Sequence, residues 1–338
     1  MWWRATAASR QHEDMKLLGR YLALAFLSAV TAEFLLGDQW LGGSVPSAST
    51  QIGELLLYAA FYGSAAILIR EVARRRGRGW PTILLLALAF GVLEEGIVDQ
   101  SLFNPSFAGE HLLRFGFIPA LGIGGPWTIF VLSLHVIWSI GAPIAIAEGL
   151  FPNPLPGRIA REPQTQAGWL RVPVIVVAGI LFLVGAFAIV TFTASSEHFM
   201  ASTAQLTVSA VVGIAIVVVA LLLPKRAPRG CRPFVPAALV GLVLTSAYQV
   251  LDRFGEGLGP WLEVILAVAI LAVGAVISAT LRLDVLGLAV GATLTYCWLG
   301  MTKAVPLGLA ATIEQSALVA LVVVAMGFAF ARHRQALR

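Results

Sequence analysis

The sequence predicts an all-α, polytopic integral membrane bundle of about ten transmembrane helices, with both termini cytoplasmic. Three observations carry the prediction. Of 338 residues, 58% are hydrophobic and only 12% are charged, against about 25% charged in an ordinary soluble domain. Apolar runs close to the ~20 residues needed to cross a bilayer recur along the whole chain, and no polar connection between them can hold a soluble domain. The basic residues also sort by side. With the N-terminus inside, all of the 23 Lys and Arg except Arg114, Arg253 and Lys303 fall on inner segments, a strong positive-inside bias.

Taken in order, the spans are about 17–37, 50–70, 80–102, 126–150, 172–194, 204–224, 233–252, 260–281, 284–301 and 307–331. The first follows Arg4, Arg10 and Lys16 and includes Arg20. Val30-Thr31-Ala32 would suit a signal peptidase, but the apolar run continues past it, so a spanning helix is favoured over a cleaved leader at 1–32. The second ends at Arg70, followed by Arg74, Arg75 and Arg76, which read as a topology anchor able to bind anionic lipid headgroups. The third starts at Trp80 and stops at Asn104-Pro105. A loop with four aromatics and Gly122-Ile123-Gly124-Gly125 then lies on the interface or closes as a lid. Residues 50–150 form a polar-site core within a single membrane domain, 1–338. Residues 172–331 form an apolar six-helix part, whose Gly287/Gly291, Ser209/Gly213 and Gly274/Ser278 spacings suit close helix packing. The turn at Arg282-Leu283-Asp284 is the tightest connection.

The net charge of +5 therefore reflects topology and gives no reason to expect nucleic acid. Cys231 falls in a basic loop and Cys297 in an apolar run, which excludes a disulfide framework or zinc ribbon. Cell (inner) membrane localisation follows from the basic cytoplasmic loops.

Glu94, Glu95 and Asp99 stand midway along or near the end of an apolar run, where one charge costs roughly 2.5–3.5 kcal/mol on insertion scales. On an ideal α-helix Glu95 and Asp99 share a face, and Glu94 points about 100° away. Glu95 lies ~22 Å above the inner boundary, and His135 lies ~12 Å below the outer boundary of the next span, from the helical rise. In a ~30 Å core those depths nearly coincide, so the two residues meet if spans three and four are antiparallel neighbours. Ser139 is one turn from His135 on the same face, and Pro143 frees a backbone carbonyl one turn further. Glu33, Glu54, Glu263 and Glu314 lie in the outer halves of their spans and read as structural or vestibule acids. Glu148 is placed to pair with an inner arginine.

Adjacent glutamates in one span followed by a histidine in the next resemble the intramembrane metalloproteases related to CAAX-processing endopeptidases and bacterial immunity proteins. That pattern has a basic residue four positions after the pair and histidine motifs in two later spans. Here Asp99 stands at the basic position, His135-Val-Ile-Trp-Ser139 is the one histidine motif, and the likeness covers spans three and four. It implies Glu94, Glu95 and His135 as catalytic groups, with Glu95 activating water. Zinc is the implied metal, and Glu95, Asp99 and His135 can supply three ligands. Asp99 and Ser139 would serve as substrate or proton-relay groups.

The leading expectation is thus an intramembrane metalloprotease-like hydrolase acting on a membrane-embedded peptide. A proton- or cation-coupled transporter of a small solute would use the same four groups, Glu94, Glu95, Asp99 and His135. A non-catalytic membrane assembly subunit is the third class.

Overall fold

The computed structural model describes residues 17–37, 48–152, 168–169, 172–225 and 233–336, with side chains at 48–51 excepted. Cys231, Arg4, Arg10 and Lys16 lie outside the described residues. Among the described residues, ten helices are long and apolar enough to cross a membrane: α1 (Leu17–Phe34), α2 (Ile52–Arg75), α3 (Trp80–Val98), α4 (Gly125–Leu150), α5 (Val172–Glu197), α6 (Thr203–Leu222), α7 (Phe234–Leu258), α8 (Pro260–Leu281), α9 (Val285–Leu307) and α10 (Leu309–Ala336). Their positions follow the apolar runs closely. α2, α7, α9 and α10 run past their expected ends, to Arg75, Leu258, Leu307 and Ala336, while α3 stops short, at Val98 rather than 102. Gln100 takes a left-handed conformation (φ 60°) there, a backbone cost of roughly 1–2 kcal/mol for a residue with a Cβ. Its side chain accepts a hydrogen bond from the Ala201 N–H at 2.6 Å, which helps hold that turn.

Burial separates a core from a periphery. The most apolar stretches of α3, α4 and α9 are 67% buried inside the protein, whereas that of α8 is 6% buried. The central helix is α4. Its Ile140, Ile144 and Ala147 join α1, α2, α3 and α5 in one hydrophobic core. From the opposite face, Trp138, Ala142, Ala145 and Ile146 join α7, α9 and α10 in a second. The later six helices do not gather into a bundle of their own: α5 packs on α2 and α6 on α3, while α7 to α10 pack around α9 and α4. Gly287 and Gly291 let α9 approach the backbone of α7 so closely that a Cβ at either would collide with it. Arg282 (φ 52°) turns the chain between α8 and α9, and Asp284 caps α9 by accepting from the Gly287 N–H at 2.8 Å.

The first four helices share a second feature. Each contains a π-helical segment: Val30–Phe34, Ala59–Gly63, Glu94–Val98 and His135–Gly141. Such wide turns are rare and concentrate at functional sites. They rotate the residues that follow out of ideal α-helical phase. Thr31, on the first, donates to the Trp138 carbonyl at 2.7 Å on the fourth, and Ser28 donates to the Ser139 carbonyl. α1 is therefore fastened to α4 at the depth of the polar residues.

A buried ion network ties α2 to the end of α4. Arg70 is fully buried, 2.8 Å from Glu71 and 3.0 Å from Glu148, with its guanidinium 3.4 Å over the Trp169 ring. Arg74 grips Glu148 through two hydrogen bonds, at 2.8 and 2.7 Å. Arg74 thus turns inward, because a buried carboxylate on α4 is within reach of its fork. Arg75 and Arg76 are exposed, and Arg75 also reaches Glu71 at 3.1 Å. Removing one partner from such a network strands the other charge, at a cost of about 3–5 kcal/mol. Arg70→Ala is expected to lower the thermal unfolding midpoint of the detergent-solubilised protein strongly, and Arg76→Ala to leave it unchanged.

Candidate metal and proton site between α3 and α4

The site is built by adjacent residues of α3 and one residue of α4. Gly91, one turn before the glutamates, faces the Cβ of His135, and its missing side chain lets the two helices close up at this level. The π-helical turn then begins at Glu94, with the Asp99 N–H bonded to the Glu94 carbonyl at 2.8 Å. That widened turn brings both glutamates onto His135. Glu95 Oε1 is 2.6 Å from Nε2 and Glu94 Oε2 is 2.8 Å from Nδ1. All three residues are buried, with relative exposures of 1% (Glu94), 5% (Glu95) and 5% (His135).

The surroundings hold the carboxylates in place. The Tyr62 hydroxyl of α2 donates to Glu94 Oε1. Ser101, carried back by the turn at Gln100, donates to Glu95 Oε2 and accepts from the Trp127 indole N–H at 3.2 Å. Ser139 Oγ lies 3.2 Å from His135 Nδ1. The imidazole stacks on Tyr62 (centroids 6.1 Å apart, planes at 12°) and meets the edge of Phe90. These contacts fix the ring and exclude water from its faces.

The exception is Glu94 Oε2. It is buried and close to Nδ1 but makes no hydrogen bond of acceptable geometry, which is costly for a buried carboxylate oxygen. The proton inventory sharpens this. Imidazole donates from both nitrogens only as the imidazolium, so with a neutral ring one nitrogen faces a carboxylate without a proton between them unless the acid carries it. A cation or a shared proton satisfies that side.

The structure brings together Glu94, Glu95 and His135, whose ligand atoms all lie within 4.8 Å of one another. Asp99 does not join them. The π-helical turn breaks the α-helical register that would have put it beneath Glu95, and its carboxylate instead accepts from Thr193 of α5 at 3.2 Å. Among the described residues the group that could hold a metal ion is thus Glu94, Glu95 and His135, and Asp99, one of the three ligands expected from sequence, stands apart from it. Sequence reasoning also missed Tyr62, Ser101 and Trp127, whose types are ordinary in or beside a span and carry no motif. The loop expected to form a lid carries a two-residue hairpin, β1 (Phe117–Ile118) with β2 (Ile123–Gly124). It is pinned to the end of α5, where Glu197 accepts from Asn104 and from the Ala108 N–H.

No protein-family model matches this chain, and neither the curated proteins nor the solved structures give a significant match.

His135→Ala leaves two buried carboxylates facing an empty space and is expected to destabilise the protein by about 3–5 kcal/mol. Adding Glu94→Gln should restore part of that loss. A double-mutant cycle by thermal unfolding reads the coupling; strict additivity would show that the two residues do not interact.

Proposed function

We propose that the chain is a multi-pass protein of the cell membrane with cytoplasmic termini, acting as a metal-dependent intramembrane hydrolase on a membrane-embedded peptide. The observation that carries the reading is the buried Glu94 oxygen beside His135 Nδ1, with Glu95 on the far nitrogen of the same ring. An imidazole nitrogen and carboxylate oxygens are the donor types of catalytic zinc. A histidine ligand commonly gives its other N–H to a carboxylate, as Nε2 is placed to do toward Glu95. In this reading Glu94 and His135 would hold the ion. When bound, the metal supplies Lewis acidity to water or to the scissile carbonyl. Glu95, oriented by Ser101 and Nε2, would be the base that takes a proton from the attacking water and returns it to the leaving amine. Trp127 and Ser101 hold Glu95 in place. The resemblance of Glu94-Glu95 and His135 to the CAAX-type proteases points the same way, and the basic partition of the loops supports the orientation and the inner membrane.

One observation favours a second reading. Both ring nitrogens of His135 face carboxylates, and Asp99 adds a third acid near the end of α3, so the group can also bind and release protons for a coupled solute transporter.

Metal analysis by mass spectrometry on protein purified without chelator separates the two. The hydrolase reading predicts near-stoichiometric zinc, lost in Glu94→Gln and His135→Ala. Glu95→Gln should keep most of the metal while abolishing peptide cleavage. A well-folded wild type with no metal, and no uptake on adding zinc, sinks the metalloenzyme.

A further inference from the structure

We propose a second ligand site, separate from the glutamate–histidine cluster: a cleft between α4, α7 and α8 that binds one hard, water-sized inorganic cation of the Na⁺ or Ca²⁺ class. The cleft is small and partly enclosed by Pro126, Phe130, Tyr248, Leu251, Asp252 and Glu263. Its enclosed part has room for about one water-sized particle, which excludes an organic solute.

The chemistry of the lining selects a cation. Two carboxylates, one from α7 and one from α8, share a wall that is otherwise apolar or aromatic. Glu263 is only 5% exposed, yet its Oε2 has no hydrogen-bond partner. Its carboxylate lies against Gly255, where any side chain would displace it. The hydroxyl that might have satisfied it is committed elsewhere: Tyr248 OH is 2.6 Å from Ser133 Oγ and donates to the Ile129 carbonyl at 3.1 Å, both on α4. Arg253, the residue after Asp252, is exposed and directs its guanidinium to Thr302. The polar groups that face the cleft are therefore oxygens, the donors that hard cations take. Arg253 and Lys303 lie close enough to Asp252 to offset part of its charge, so the oxygen left without a partner is that of Glu263, and a cation between the two carboxylates satisfies it. Such a site clamps α8 to α7 and, through Tyr248, to the turn of α4 that precedes His135.

The test is thermal unfolding of the full-length protein in detergent at constant ionic strength, replacing N-methylglucamine chloride stepwise by NaCl, KCl or CaCl₂. Binding to the folded state raises the midpoint saturably. The proposal predicts such a rise with one of these cations, with half-saturation weakened about tenfold or more in Glu263→Gln and in Asp252→Asn. The response should persist in Glu95→Gln, which alters the other cluster. A flat response of the wild type to every cation overturns the site, whatever the variants do. An undiminished response in Glu263→Gln overturns it too, or in Asp252→Asn if the first variant does not fold.

Discussion

A single imidazole held between two carboxylates is the interaction on which the centre of this protein depends. Three ionisable groups at this depth are unfavourable one by one, but together they neutralise part of one another's charge, and Tyr62, Ser101 and Ser139 supply most of their hydrogen bonds. The helices must then meet at one height and one rotation. Gly91 gives the close approach, Tyr62 and Ser101 occupy the outer carboxylate oxygens, and Phe90 and Tyr62 cover the ring. α1 is drawn in by Ser28 and Thr31. Once α4 is set in this way, its other face becomes the wall against which α7, α9 and α10 pack.

The π-helical turns are how the backbone accommodates this. All four found among the described residues fall in α1 to α4, and each carries a residue of the polar centre or one packed beside it. A regular helix cannot aim two consecutive side chains at one imidazole. A widened turn can, at the expense of a poorer local hydrogen-bond ladder. The peripheral helices α5 to α8 and α10 have no such demand on them and keep regular turns over their apolar lengths.

This explains what could and could not be read from residues. The ten apolar runs gave the helices because length and hydropathy are properties of the chain itself. The pairing of Glu95 with His135 was legible from depth alone, since both helices start at recognisable boundaries and rise at a fixed rate per residue. Pairing of Glu148 with an inner arginine was legible for the same reason. That both glutamates meet the same ring, and that Asp99 departs toward Thr193, were not. They follow from a change of helical register that no composition or spacing signals. That Arg74 is among the arginines pairing with Glu148, 74 residues away in sequence, was set only by packing. Tyr62 and Ser101 were invisible because nothing marks a tyrosine or serine as site-forming until the helices are assembled.

The most direct test of the centre is nitrogen-15 magnetic resonance of His135 in the labelled protein, recorded metal-free and after one equivalent of zinc. The account predicts that both ring nitrogens are hydrogen-bonded without metal. On zinc addition the Nδ1 signal should move to that of a coordinated nitrogen while Nε2 keeps its proton toward Glu95. A spectrum that zinc leaves unchanged, with both nitrogens still protonated, would contradict it and leave the cluster as a proton-binding centre.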